Sequence, residues 1–320
     1  MALTLLHPTP ARRGLLAVEW LTLAYAVLTA VALTALHGLT PKVGHLLLER
    51  TALCAGMTLP IAAYRASPSR LTLFLRMLYV MVLLGYWYPD TFQVCSALPY
   101  LDSFFARADA WLFGCQPAAE WSKALPQRWV SEAFCLGYLA YFPMIAVVTF
   151  YALLQRPRQL EETTFVIMAS FLAFYTVFLF VPVAGPQYYY PWLGRAAVEA
   201  GAFAPVPPQY FALHPTLPAA TDAPDGPFHT LLQLMQAGGE RPTAAFPSSH
   251  VGVSTVLLLL SRRLNRRLML ALLPVYVLLC GATVYIGAHY AVDALAGLPC
   301  GVAAYALTRR AYAALARRGA

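Results

Sequence analysis

Two histidines and one aspartate carry the chemistry open to this sequence. His250 closes Ala245-Phe246-Pro247-Ser248-Ser249-His250, and His289 and Asp293 lie in Tyr285-Ile286-Gly287-Ala288-His289-Tyr290-Ala291-Val292-Asp293. Asp293 is the one formal charge between Leu268 and Thr308, a stretch long enough for two membrane crossings of roughly 20 apolar residues each. A charge at the centre of a membrane helix costs about 2.5–3.5 kcal/mol, so an acid there needs a partner or a polar cavity. His289, four residues earlier, is the expected partner. On a helix the two share one face, so the carboxylate accepts from one imidazole nitrogen and leaves the lone pair of the other free. Pro247 beside Ser248 and Ser249 reads as a helix N-terminus, where capping oxygens and free amides cradle an anion such as phosphate. His250, one turn in, is placed to protonate a leaving oxygen, and His289 to attack and form a phosphohistidine.

Neither motif calls for a metal. Zinc needs a denser set of ligands than PSSH and HxxxD supply, and no CxxC pair is present, so no metal and no cofactor is expected. His7, His37, His45, His214 and His229 read as ordinary hydrogen-bonded histidines.

The elements that must hold these residues are membrane helices. The chain is 60% hydrophobic and 11% charged, with a mean hydropathy of +0.60, whereas soluble domains are about 25% charged. An all-α, polytopic membrane bundle of about eight spans follows. The spans fall near residues 14–36, 44–64, 71–88, 129–154 and 163–182, from the Ala245–His250 motif to Arg262-Arg263, and near 268–287 and 290–308. Glu19 and Trp20 fit an interfacial start of the first, and Glu49-Arg50 blurs the start of the second. The first run is too long for a signal-peptide core and is expected to be retained. The net charge of +8 sits in short clusters between apolar runs, as orientation signals do, which argues against nucleic acid. The clusters at 12–13, 65/70, 156/158, 262–267 and 309–310 all fall on one side in this count. That side is cytoplasmic by the positive-inside rule, so His250, His289 and the Gly185 loop face outward. Residues 1–70 are read as N-terminal spans, 71–310 as one catalytic membrane unit and 311–320 as a cytoplasmic tail.

Three further stretches bear on the site. Tyr86-Trp87-Tyr88 suit a membrane interface, while Phe171, Phe174, Tyr175, Phe178 and Phe180 suit packing. In 98–113, Leu101, Phe104, Phe105, Ala108 and Leu112 recur at helical spacing, as in an amphipathic helix lying on the interface; a polar loop with apolar anchors fits the same composition. The proline-rich stretch 183–243 is long enough to be a functional cap. Cys95 and Cys115 share the outward side, where a disulfide could form; the remaining cysteines read as small apolar residues.

Together these residues resemble the type 2 phosphatidic acid phosphatase superfamily, whose second and third motifs read PSGH and SRxxxxxHxxxD. They stand here as Pro247-Ser248-Ser249-His250 and His289-Tyr290-Ala291-Val292-Asp293. The resemblance runs from about Leu71 onward and takes in Asp109…Leu112-Phe113-Gly114…Pro117 and the Gly185-Pro186 turn. The sequence departs from the pattern where the family binds phosphate. Ala282-Thr283 replaces its Ser-Arg, KxxxxxxRP has no copy beyond Arg241-Pro242, and Gln187 follows the Gly-Pro turn in place of an arginine.

Thr283-x-Tyr285-x-x-x-His289-Tyr290-x-Val292-Asp293 is similar to the branch of aureobasidin-sensitive inositol phosphorylceramide synthases. That branch implies transfer of a phosphoinositol-like head group from a membrane phospholipid to ceramide by a His-His-Asp triad without metal. By that carry-over His289 attacks phosphorus, Asp293 fixes its tautomer and His250 serves as acid, then base. Ser248, Ser249, Arg241, Gln187 and Tyr285 are the candidate substrate-binding residues. The same three catalytic residues would serve hydrolysis of phosphatidic acid or a polyprenyl (di)phosphate, with water as acceptor. A transporter would instead use Asp293 for ion coupling, but the paired repeats typical of transporters are missing from the sequence.

Overall fold

The computed structural model describes residues 5–10, 14–36, 42–217 and 226–318. Arg12-Arg13, His37 and the 218–225 part of the predicted cap lie outside the described residues. Long apolar runs can satisfy their backbone in lipid only as helices, and the described regular structure is helical. The N-terminal spans are Ala17–Ala35 (α1), Val43–Gly56 with Thr58–Ala66 (α2, α3), and Arg70–Val82 with Leu84–Cys95 (α4, α5). Short helices Asp102–Phe113 (α6) and Pro117–Ala124 (α7) precede Arg128–Leu139 and Tyr141–Gln155 (α8, α9), which are bent by 43°. Leu160–Phe180 (α10) follows. The 183–243 segment then folds as Pro186–Leu193 (α11), Arg195–Glu199 (α12), Tyr210–Leu213 (α13) and Pro227–Gly239 (α14). The chain closes with Ser249–Leu264 (α15), Arg266–Tyr285 (α16) and Ala291–Arg318 (α17).

Among the described residues, six helical stretches, counting α2 with α3 and α4 with α5 as one each, are long and apolar enough to cross a membrane, and α8 with α9 makes a seventh if the pair is one broken span. The predicted sixth crossing differs from the others. Helix α15 has 16 residues, about 24 Å at 1.5 Å per residue, and it packs against α9, α10, α16 and α17. Ser254, Thr255 and Ser261 are buried on it. Thr255 meets the Tyr276 hydroxyl at 2.9 Å and Ser261 donates to the Leu257 carbonyl at 2.8 Å, so protein and not lipid surrounds them. Close packing with α17 needs Gly297, where a Cβ would stand 2.7 Å from the Ser248 carbonyl.

The N-terminal helices are fastened by two buried ion pairs. Arg76 donates to Glu19 and to the Gly14 carbonyl, and Arg50 pairs with Asp90. Glu19 is therefore a buried partner, and only Trp20 is exposed as an interfacial residue would be. The third span continues to Cys95, so Trp87 is fully buried against Tyr25 and does not belong to an aromatic belt. Phe171, Phe174, Tyr175 and Phe178 are buried and Phe180 is exposed. Cys95 and Cys115 are free thiols, Cys95 lying 3.1 Å from the Thr243 hydroxyl.

Helix α6 forms where the amphipathic pattern predicts one, and its two faces divide by character. Phe104, Trp111 and Leu112 are exposed, while Asp102, Phe105, Ala106 and Asp109 are buried. The inward positions are spaced i, i+3, i+4 and i+7, one helix face.

Candidate active site

The two histidine motifs meet where the N-terminus of α15, the C-terminus of α16 and the N-terminus of α17 come together. Ser248 caps α15, its Oγ accepting from the Val251 amide at 3.3 Å. Pro247 stands before the cap, outside the first turn where it was expected. His289 sits in the turn between α16 and α17, so it does not share a helix face with Asp293. Its amide donates to the Thr283 carbonyl at 3.0 Å. Thr283, where the family pattern has its arginine, is fully buried.

Asp293 acts mainly on the backbone. Its Oδ2 accepts from the Tyr290 amide at 2.9 Å, the reciprocal bond by which a third-position acid starts a helix. Its carbonyl accepts from the Ser248 amide at 3.0 Å, joining the two motifs. The carboxylate lies 3.8 Å from His289 Nδ1, beyond hydrogen-bond reach. The expected Asp–His hydrogen bond is replaced by one from Nδ1 to the Ala245 carbonyl at 2.8 Å. A carbonyl only accepts, so Nδ1 carries the proton and Nε2 bears the lone pair. That nitrogen faces His250 Nδ1 at 3.5 Å, which by the same logic presents its proton to it. The His250 ring lies against Tyr138 and Tyr141, with centroids 4.4 and 4.5 Å away. Burial pushes His289 down to about 4 despite its bond to Ala245, so the ring stays neutral and nucleophilic at ordinary pH.

Two aspartates of α6 hold the loops from behind. Asp102 accepts from the amides of Ala184 and Gly185, at 3.0 and 2.8 Å, and from the Tyr290 hydroxyl at 3.0 Å. Asp109 accepts from the amides of Ala291 and Val292, both at 2.9 Å. At Gly185 φ is +92°, and a Cβ would fall 2.6 Å from the Ala288 carbonyl, so glycine is what lets this turn touch the His289 loop. Sequence reasoning gave these acids no role, although Asp102 and Asp109, seven apart on one helix face, carried the signal.

The histidines border a cavity of about 10 Å³ lined by Tyr88, Tyr138, Glu240, Thr243, Ala244, Ala245, Ser249, His250, Ala288 and His289, room for one water-sized molecule. A far larger open hollow, beside Arg107 and Phe203, lies among other residues. Of the predicted binding residues, Ser249 lines the cavity, and Gln187 adjoins it through a 3.4 Å contact from its Nε2 to Glu240 Oε1. The other three stand apart. The Ser248 amide is taken by the Asp293 carbonyl and is not open to an anion. Arg241 is not among the lining residues and donates to the Glu240 carbonyl at 2.8 Å. Tyr285 turns away, its hydroxyl on the Leu125 carbonyl at 2.7 Å and its ring stacked on Phe134. Tyr88, Tyr138, Glu240 and Thr243 are the polar lining residues to which the sequence gave no part in the site. Among the described residues no group of three or more His, Cys, Asp or Glu side chains is arranged to hold a metal.

No curated protein and no solved structure matches the chain. A family comparison does match, over residues 103–307, a range that takes in α6 after Asp102, the Gly185 turn and both histidine motifs. The chain belongs to the PAP2 superfamily of phosphatases and phosphotransferases.

Proposed function

We propose that this membrane protein moves a phospho-head group, phosphoinositol-like, from a glycerophospholipid to a lipid alcohol such as ceramide through a phosphohistidine on His289. The observation that carries this reading is the pair of facing nitrogens, His289 Nε2 and His250 Nδ1, beside an enclosed cavity. Nε2 of His289 attacks phosphorus, the P–O bond to diacylglycerol breaks, and His250, entering the step as the imidazolium, gives a proton to the departing oxygen and is left neutral. In the second half-reaction His250 takes the proton of the acceptor hydroxyl, whose oxygen attacks phosphorus as the P–N bond breaks. An in-line phosphoryl group needs more than the 3.5 Å now separating the rings, so substrate parts them. Asp293, 3.8 Å from Nδ1, steadies the charge that develops on the imidazole.

No lysine or arginine lines the cavity, which suits a singly charged phosphodiester better than a dianionic monoester. Hydrolysis is the second reading, because the cavity has room for a water. Purified protein given head-group-labelled phosphatidylinositol with and without ceramide separates the two. Label entering a lipid only when ceramide is present supports transfer. Inorganic phosphate released from phosphatidic acid, with no ceramide-dependent product, replaces it with a lipid phosphate phosphatase.

We further infer that the site faces away from the cytoplasm. Arg156, Arg263 and Arg309 gather around Glu162 and Leu264, at the end of α15 opposite His250. Cysteine placed at the exposed Leu213, in a chain otherwise lacking cysteine, is expected to react with an impermeant thiol reagent on intact cells. Labelling only after lysis reverses the orientation.

A further inference from the structure

Glu240 is an acid beside the two histidines of a site expected to hold phosphate. Its carboxylate lines the same cavity as His250 and His289, and a carboxylate there repels phosphate. Its surroundings are those of a polar subsite and not of an ion pair. Oε1 accepts from the Tyr88 hydroxyl at 3.0 Å and from Gln187 Nε2 at 3.4 Å, while Gln236 Nε2 donates to Gln187 Oε1 at 3.2 Å. The neighbouring Arg241 guanidinium turns to the Glu240 backbone carbonyl. A second observation points to an absent partner: the Tyr188 hydroxyl, on a side chain only 2% exposed and within electrostatic reach of Glu240, has no hydrogen-bond partner.

We propose that Glu240, with Gln187, Tyr88 and Tyr188, is a subsite that recognises a hydroxyl-bearing group attached to, or about to attack, the phosphorus held between His250 and His289. The proposal rests on the phosphohistidine reading above. A hydroxyl both donates and accepts, so it can give its proton to the carboxylate while taking one from the Gln187 amide or the Tyr188 hydroxyl. An ammonium head group only donates and leaves those donors unmet. A phosphate monoester brings a second negative charge toward Glu240 and is disfavoured. The space beside the histidines, about 10 Å³, fits a single hydroxyl oxygen, and Glu240 is half-buried, so the rest of the group extends outward past it. Burial raises the carboxyl to about 7, which lets it accept from a hydroxyl without carrying a full fixed charge in acid.

The hydroxyl has two possible sources, a polyol on the donor lipid or the acceptor lipid alcohol. Glu240→Gln, which keeps the shape and removes the charge, is compared with wild type on phosphatidylinositol, phosphatidylethanolamine and phosphatidic acid. Formation of the phosphoenzyme in a single turnover is read separately from the dependence on ceramide. We expect kcat/KM for one hydroxyl-bearing substrate to fall about tenfold or more, with phosphatidic acid unchanged or improved. Loss in phosphoenzyme formation from phosphatidylinositol assigns the subsite to the donor polyol, and loss confined to the KM for ceramide assigns it to the acceptor. An equal loss on every lipid, or a loss greatest on phosphatidylethanolamine, overturns the proposal. Gln236→Ala, one hydrogen bond further out, should show the same selectivity in weaker form and serves if Glu240→Gln does not fold. His289→Ala tests the underlying reading independently: if it leaves phosphoryl transfer intact, the phosphohistidine reading fails whatever Glu240 does.

Discussion

Helices α1 to α5 and the region from α6 onward treat buried charge in opposite ways. In α1 to α5, Arg76 meets Glu19 and Arg50 meets Asp90, each pair almost wholly buried. Arg50 also donates to the Leu46 carbonyl and the Thr29 hydroxyl. Around the site, Asp102, Asp109 and Asp293 are as deeply buried, yet among the described residues no lysine or arginine pairs with them. Backbone amides and a hydroxyl meet both oxygens of Asp102 and Asp109 and one oxygen of Asp293, whose Oδ1 is left without a partner. An ion pair spends both charges on each other and fixes two helices. A carboxylate holding amides fixes loops, and here those loops carry the two facing histidines. The first arrangement is a fastening and the second a frame for chemistry.

The sharpest way to break this comparison is His289→Ala, which should lower kcat by about a thousandfold or more while the protein elutes and melts like wild type in detergent. Retention of more than about a tenth of the activity removes His289 from the mechanism. On the other side of the comparison, Arg50→Leu alone strands Asp90 and should destabilise by about 3–5 kcal/mol. Arg50→Leu with Asp90→Leu should recover most of that loss and keep activity, as measured by thermal denaturation and turnover; a double variant that folds but is inactive would show that the N-terminal pair is part of the chemistry.

Smaller still is the expected effect of Asp109→Ala. It strands the Ala291 and Val292 amides, at about 1–3 kcal/mol for a lost buried partner, and should lower activity along with stability because those amides start the helix that follows His289. Asp109→Asn keeps one acceptor and should fall between the two; unchanged activity in both variants denies α6 its framing role. The mildest effect is that of pH. With His289 pushed down to about 4, kcat/KM should hold as pH falls through the ordinary histidine range near 6.5, and its acid limb through this residue should appear only near 4. The folded chain then binds fewer protons than the unfolded one between those values. The contribution of His289 to stability is complete above about 6.5 and is lost as pH falls toward 4. An acid limb near 6.5 assigned to His289 by its loss in a variant would show the ring to be solvated.

Hydropathy and motif spacing alone determined the helical membrane bundle and the superfamily, and singled out His250, His289 and Asp293 as the candidates for chemistry. Each of these depends on local composition or on motif spacing, which a chain displays without folding. Only the tertiary structure decided what those residues touch. His289 Nδ1 found the Ala245 carbonyl in place of Asp293, since the turn before α17 takes His289 off the helix face that an i, i+4 spacing assumes. Tyr285, four residues from His289, swung toward Leu125, and Glu240 came into the cavity from a stretch with no recognisable period. Asp109 reaches the Val292 amide across 183 positions of sequence. A contact that distant is set by how helices pack, and helix packing leaves no trace in the period of any one segment.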